Sequence, residues 1–253
     1  MKTAIDSQKD QPCGAPHAGC YECSVRSISV CAALSREELH ELENLSRPEQ
    51  FAPRQALFLQ GDAVDSVFNV TSGCFRLVNV LHDGRRQIMG FALPGDFLGL
   101  SSDLEYGVSA ESLGPASICR FNKAAFSSYL SRKTSLLTRL LDYAGHELSL
   151  AHEQMALLGR RSAEERVVSF LLGLRKRNER FGRQGVTLHL AMPRQDIADY
   201  LGLTIETVSR VMTHLAREKL IVVVPDGVRF LQMERLQSLT AVDPSVSKAS
   251  GER

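Results

Sequence analysis

A heptad repeat between Leu137 and Leu158 constrains this chain more than any other stretch. Leu137, Leu141, Ala144, Leu148, Ala151, Met155 and Leu158 recur at alternating steps of four and three residues, the a/d spacing of a coiled-coil seam. No proline interrupts the stretch, and Gly145 lowers helix stability by only about 1 kcal/mol relative to alanine. Such a seam is narrower than the apolar stripe by which a surface helix packs on its own domain. It suits a second copy of the same helix, so the spacing predicts a homodimer. Packing on its own domain is the competing reading of the same pattern. Position favours the dimer, because a cysteine-rich, turn-punctuated half precedes the repeat and a basic half follows it.

The basic half is quantifiable. Residues 160–235 carry 14 Lys and Arg against 9 Asp and Glu, a net of +5, while the rest of the chain is net −4. This asymmetry points to a polyanionic partner. At 253 residues the chain is long enough for one or two domains with a real core. It has no apolar run of 18 residues, so no transmembrane helix and no membrane partner is expected. Its first residues lack the apolar segment of a secretory signal, so the expected location is the cytoplasm. There, six cysteines are expected to be metal ligands, redox groups or core residues rather than disulfides.

Residues 1–34 read as a polar arm that carries Cys20, Cys23 and Cys31 within twelve residues. A Cys-x2-Cys pair presents two sulfurs from a tight turn, and a third loops back to the same centre. Thiolates suit zinc or an iron–sulfur cluster. A fourth sulfur has to come from Cys13, Cys74 or Cys119. Cys74 opens a strand-like run and reads as a small buried hydrophobe.

Residues 35–131 read as a β-roll. Ser35 and Glu38 form a capping box for a short helix. From about Phe51 to Phe121, short apolar runs alternate with turn signals such as Ser72-Gly73, Asp83-Gly84 and Pro94-Gly95-Asp96. A short helix follows at 123–130, and the long seam helix fills 132–159. Residues 160–235 open on a second capping box, Ser162 with Glu165. The run Arg175, Lys176, Arg177, Arg180 and Arg183 reads as a solvated face or as a set of phosphate contacts. Residues 236–253 read as a disordered polar tail.

The stretch from Gln195 to Leu215 is the most informative about function. One helix ends at Leu201, Gly202 permits a left-handed turn, and Thr204 caps the next helix. Ile197, Leu201, Leu203, Val208 and Val211 supply the small core of a helix-turn-helix, with Ala198 allowing close approach. The second helix then offers Glu206, Ser209, Arg210 and Thr213 on one polar face. Arg210 suits guanine O6 and N7, and Glu206 suits cytosine N4. A solvent-exposed helix face is the competing reading. The runs around Pro225-Asp226-Gly227 predict a β-hairpin wing. No glycine-rich nucleotide loop and no nucleophile–base pair is present, so the chain is read as non-catalytic.

A roll, a dimer helix and a winged helix-turn-helix in this order resemble the cAMP-receptor-protein/FNR superfamily, over roughly residues 20–235. That resemblance implies an α+β fold and a double-stranded DNA partner. DIADYLGLTIETVSRVM resembles the FNR branch, whose E-x-x-S-R triad reads a TTGAT-type half-site; Glu206, Ser209 and Arg210 match it. MALLGRRSAEERV, from Met155 to Val167, also resembles FNR. FNR proteins hold an oxygen-labile [4Fe–4S] cluster on three N-terminal cysteines and one distal cysteine, and Cys20, Cys23, Cys31 and Cys119 occupy those places. The C-x2-C-x7-C spacing is similar to FnrN/FnrL-type members and departs from the enteric C-x2-C-x5-C form. Cys13 is then a spare. A thiol- or zinc-based regulator on the same scaffold is the alternative reading. PGDFLGLSS resembles the nucleotide cassette of the cAMP receptors, but Leu100 stands where a ribose-binding Glu is needed and Val108 where a phosphate-binding Arg is needed, so no cAMP binding is expected. The resemblance also implies that the hairpin tip from His82 to Gln87 touches RNA polymerase.

Overall fold

The computed structural model describes residues 19–100, 103–160, 162–179 and 185–240, apart from the side chains at 156, 157, 158 and 160. Cys13, the Leu158 side chain, Arg180, Arg183 and the tail beyond 240 lie outside the described residues.

Helix α1 (Arg36–Leu45) begins at the expected capping box: Glu38 N–H donates to Ser35 Oγ at 3.3 Å, and Ser35 N–H to the Glu38 carboxylate at 2.9 Å. Eight strands follow: β1 (Ser46–Phe51), β2 (Ala56–Phe58), β3 (Ser66–Ser72), β4 (Phe75–Val80), β5 (Arg86–Ala92), β6 (Phe97–Leu98), β7 (Ser109–Ser112) and β8 (Ala116–Asn122). They form two antiparallel four-stranded sheets in the orders β1-β8-β3-β6 and β2-β7-β4-β5. Strand period two gives the first sheet two working faces. Phe68, Val70 and Ile118 point into the roll with Phe58, Phe75 and Ala110. Val67, Cys119 and Phe121 point the other way, with Phe97, into a layer covered by helices.

That layer is closed by a 3-10 turn (Val30–Ala33), α1, α2 (Lys123–Leu130) and the start of α3 (Thr134–Arg160). Helix α3 spends its two sides differently. Leu136 and Leu140 are buried against the roll, while Leu137, Leu141, Leu148 and Met155 are 40–65% exposed. Ala144 and Ala151 are exposed as well. The expected seam residues whose side chains are described thus form one outward stripe.

Helix α4 (Ala163–Glu179) starts at the second capping box, with Ser162 N–H donating to Glu165 at 2.7 Å. Strand β9 (Thr187–His189), α5 (Arg194–Leu201), α6 (Ile205–Arg217), β10 (Ile221–Val224), β11 (Gly227–Phe230) and α7 (Met233–Ser238) complete the chain. The wing is three-stranded, in the order β10-β11-β9. Gly227 is required there: a Cβ at that position would lie 2.0 Å from Leu188 O on β9.

Two expectations need correction. The tail does not begin at 236, because α7 spans that position and Leu236 is fully buried in the core of the C-terminal half. Nor is Arg177 part of a solvated basic face. It is half-buried, pairs with Asp96 of the roll and donates to Phe91 O at 3.3 Å. The two halves therefore share a core, in which Cys74, Ile88 and Phe91 of the roll pack with Phe170, Ile197 and Leu201.

Candidate nucleic-acid interface and thiol pocket

The reading helix is placed by backbone chemistry that the sequence dictates. Gly202 ends α5 in the left-handed conformation, φ 61° and ψ 41°, where a glycine has no Cβ to clash. Thr204 then caps α6 by accepting the Thr207 N–H at 3.2 Å. Val208, Met212 and Leu215 anchor the inner side of α6. Glu206, Arg210 and Thr213 are exposed on the outer side, with Ser209 half-buried beside them. The amide at the start of α6 and the Thr204 hydroxyl hold the Glu206 carboxyl below its usual range. It is thus an acceptor at neutral pH, as contact with a cytosine amino group requires. Arg210 touches Thr207 Oγ1 only loosely, at 3.4 Å, and its guanidinium is available to a base edge. Thr213 donates to Ser209 O at 2.9 Å, which commits its hydroxyl proton and leaves the oxygen to accept.

Arg210→Ala is expected to weaken binding by about 1–3 kcal/mol at the one base pair that Arg210 reads. A competition assay with each base substituted in turn checks this. Equal discrimination at every position before and after the substitution would mean that another side chain is the reader.

The thiols come together at the other end of the molecule. Cys20 and Cys23 lie in the turn-rich loop after residue 19, and Glu43 fastens that loop to α1 by accepting the Cys20 N–H at 3.3 Å. Cys31 sits in the 3-10 turn, with its N–H donated to Ser29 Oγ at 3.3 Å. Cys119 lies mid-strand on β8, between Pro48 of β1 and Asn69 of β3. Cys31 and Cys119 belong to the same buried layer, against which Cys20 packs. Burial pushes the Cys119 thiol up to about 12, and the neighbouring Cys20, Cys23 and Cys31 add to the effect. Burial, with Cys31, Glu43 and Cys23, likewise raises Cys20 to about 11. The four sulfurs are therefore within electrostatic reach of one another. Among the described residues no group of three or more His, Cys, Asp or Glu is arranged to hold a metal ion. Cys74 is apart from them, buried between the two halves.

A cavity of about 330 Å³ lies between the roll and α3, lined by Leu77, Phe91, Leu98, Leu100, Tyr143 and Glu147. Asp96 to Leu100 of the cassette line it, and it is apolar apart from Tyr143, Glu147 and Asp96. Sequence reasoning missed a second polar site, the ion network between the halves. Arg76 of β4 donates to both Asp196 oxygens at 3.0 and 3.1 Å and to Glu111 at 3.0 Å, and Arg86 also donates to Glu111 at 3.0 Å. No helix among the described residues is long and apolar enough to cross a membrane.

Two protein families match parts of this chain: a cyclic nucleotide-binding domain over residues 48–133 and a Crp-like helix-turn-helix domain over 165–239. The chain is 49% identical to the transcriptional activatory protein AadR of Rhodopseudomonas palustris, over 87% of this chain and 92% of that one. It is 45% identical to the nitrogen fixation regulation protein FixK of Bradyrhizobium diazoefficiens, over 88% and 94%. The solved structure of FixK2 from Bradyrhizobium japonicum superposes with a TM-score of 0.72 at 30% identity, covering 78% of this chain and 98% of that one.

Proposed function

We propose that this chain, which belongs to the CRP/FNR superfamily of DNA-binding transcription regulators, couples oxygen to operator occupancy through a [4Fe–4S] cluster held by Cys20, Cys23, Cys31 and Cys119. The relatives are named as transcription regulators, among them the transcriptional activator FnrL of Cereibacter sphaeroides, 33% identical over 84% of this chain. One observation carries the finer reading. The buried face of α3, Leu136 and Leu140, rests in the same layer as Cys31 and Cys119, and the opposite face is the exposed heptad stripe.

The donor set fits the group. Four cysteines, three on one loop and one on a rigid strand, supply the thiolate ligands that such a cluster takes. A cluster spreads its ligands over four irons, one thiolate each, so it does not require three donors around one ion. When bound, it supplies a covalent tie between the loop and β8 that oxygen is able to break. The residues of this chain do the rest. The tied loop holds the 3-10 turn against α3, and α3 holds its seam toward a second copy. Two reading helices then meet two TTGAT-type half-sites one turn of DNA apart. Among the described residues the cavity beside Leu100 is lined by no Arg or Lys, and the one arginine that pairs with its Asp96 is already engaged, which disfavours a cyclic phosphate. The exposed tip between Leu81 and Arg86, closed by an Asp83–Arg85 pair at 2.6 Å, is the surface we assign to RNA polymerase.

The deciding experiment uses protein purified without oxygen. Iron, acid-labile sulfide and the visible spectrum are measured, then size-exclusion elution before and after air. About four irons with equal sulfide per chain, and a dimer that becomes a monomer in air, are expected. A colourless zinc-bound or metal-free dimer in both conditions would leave the DNA-binding assignment standing and remove the oxygen sensor. Cys119→Ala is expected to lose the cluster and operator binding together. A Cys119→Ala protein that still binds its operator only without oxygen would refute the four-ligand set.

A further inference from the structure

A cleft of about 870 Å³ lies between the roll and the DNA-reading half, within the size range of small-molecule sites. Arg54, Arg76, Arg86 and Glu111 line it from the roll, and His189 and Arg194 from the other half. Two of the guanidiniums are engaged: Arg76 by Asp196 and Glu111, and Arg86 by the same Glu111. Arg54 and Arg194 have no acidic partner among the described residues.

Each of these two arginines stands where local chemistry disfavours it. Arg54 is the third residue of the tight turn Ala52-Pro53-Arg54-Gln55, closed by the Gln55 N–H on Ala52 O at 3.2 Å. Its φ is 66°. With proline second in such a turn, the third place is the one glycine ordinarily fills, because a Cβ is strained there. Lys219 is the one other non-glycine residue at positive φ among the described residues, and it follows the last turn of α6, where that conformation closes a helix. Arg54 closes no helix. Arg194 is the first residue of α5, whose Pro193 cap brings no side-chain hydrogen bond. A cation there meets the positive end of the helix, where an acidic side chain is the stabilising choice.

Two local costs that converge on one cleft are the mark of a functional site, and an anion in the cleft offsets both. No Phe, Tyr or Trp is among the lining residues, so charge rather than ring stacking governs what the cleft takes. We propose that it binds a small, multiply charged anion of the phosphate or polycarboxylate class through Arg54 and Arg194. Guanidiniums suit such groups because they present paired N–H donors. Arg54 belongs to the roll and Arg194 to α5, so the anion bridges the halves beside the Arg76–Asp196 pair and strengthens the docking that this pair makes. Asp226 of the wing turn also lines the cleft and is the carboxylate that opposes the anion. The site is independent of whether the cysteines hold a cluster.

The test titrates inorganic pyrophosphate into the full-length chain by calorimetry, at an ionic strength held constant with chloride. Saturable binding at one site per chain is expected. Arg54→Gln and Arg194→Gln are each expected to weaken it about tenfold, the scale of one charge-assisted hydrogen bond. Asp226→Asn is expected to tighten it. All three residues are exposed, so the variants keep the fold, which circular dichroism checks. A parent chain without saturable binding would overturn the site, as would an Arg54→Gln or Arg194→Gln variant that binds like the parent. Loss of binding in Arg210→Gln with parental binding in Arg54→Gln would put the anion on the reading helix and overturn it as well. Operator duplexes with short and long flanks separate a free anion from the DNA backbone. A loss in Arg54→Gln confined to the long duplex, with no uptake of pyrophosphate by the parent, would assign these arginines to DNA phosphates and overturn the small-anion site.

Discussion

Leu148→Asp is expected to give a monomer in every condition and to lower affinity for a two-half-site operator by on the order of 10²–10⁴-fold. Leu148 is 58% exposed in the single chain and lies midway along the outward stripe of Leu137, Leu141, Ala144, Ala151 and Met155. Two copies of that stripe would bury each other if the helices pair through it. Full burial of a leucine contributes about 1.5–3 kcal/mol, and the substitution removes that twice. It also sets two carboxylates into the seam, where desolvation costs several kcal/mol per ion. The fold of each chain is unaffected, because α3 rests on its own domain through Leu136 and Leu140 instead. Analytical ultracentrifugation reads the dimer, circular dichroism reads the fold, and a whole operator against a half-site reads the linkage. A dimeric Leu148→Asp protein with parental operator affinity would place the interface elsewhere.

Both faces of α3 follow from its sequence, but only one was readable. Heptad spacing picks out residues that want an identical partner. It does not identify Leu136 and Leu140, which share a buried layer with Cys31 and Cys119 from distant parts of the chain. The helix-turn-helix was legible because its determinants are local: Gly202 supplies the turn, Thr204 the cap and Val208 part of the inner side, although Met212 and Leu215 complete that side where the sequence pointed to Val211, which is only partly buried. Both capping boxes were legible for the same reason. Strand β1 was not. Ser-Arg-Pro-Glu-Gln-Phe has little strand propensity of its own, and it is a strand because β8 offers it an edge from Ser46 to Phe51. The four cysteines were visible in the sequence, but the residues that surround them in the fold were not. Nothing near Asn69 in sequence marks it as the neighbour of Cys119. Arg177 and Asp196 were the hardest to place. Each looks like an ordinary surface charge, and only the docking of the two halves turns them inward.

Asp196→Ala is expected to destabilise the folded chain by about 3–5 kcal/mol, the cost of leaving a buried partner uncompensated, and to release the DNA-reading half from the roll. Asp196 is 6% exposed at its side chain, and its partner Arg76 is 18% exposed. The remaining Arg76–Glu111 contact, with Glu111 shared by Arg86, keeps the cost nearer the lower end of that range. What distinguishes this network from an ordinary surface pair is its place. Asp196 stands in the first turn of α5, which packs on β5 of the roll and on α6. The direction in which α6 presents Glu206 and Arg210 is therefore set relative to the roll, and through the roll relative to α3 and its seam. Removing Asp196 frees that direction. Two-site operator affinity is expected to fall further than half-site affinity, because only the former requires two reading helices at a fixed separation. Replacing both Arg76 and Asp196 by apolar residues of similar size is expected to recover most of the stability, since well-packed apolar groups often match a buried ion pair. It should not recover the operator affinity if directional ion pairing, rather than burial alone, fixes the orientation. Urea unfolding of the single and double variants gives the coupling energy, and small-angle scattering reads the spacing of the two halves. A double variant that regains both stability and two-site affinity would show that packing suffices and that the ion network is replaceable.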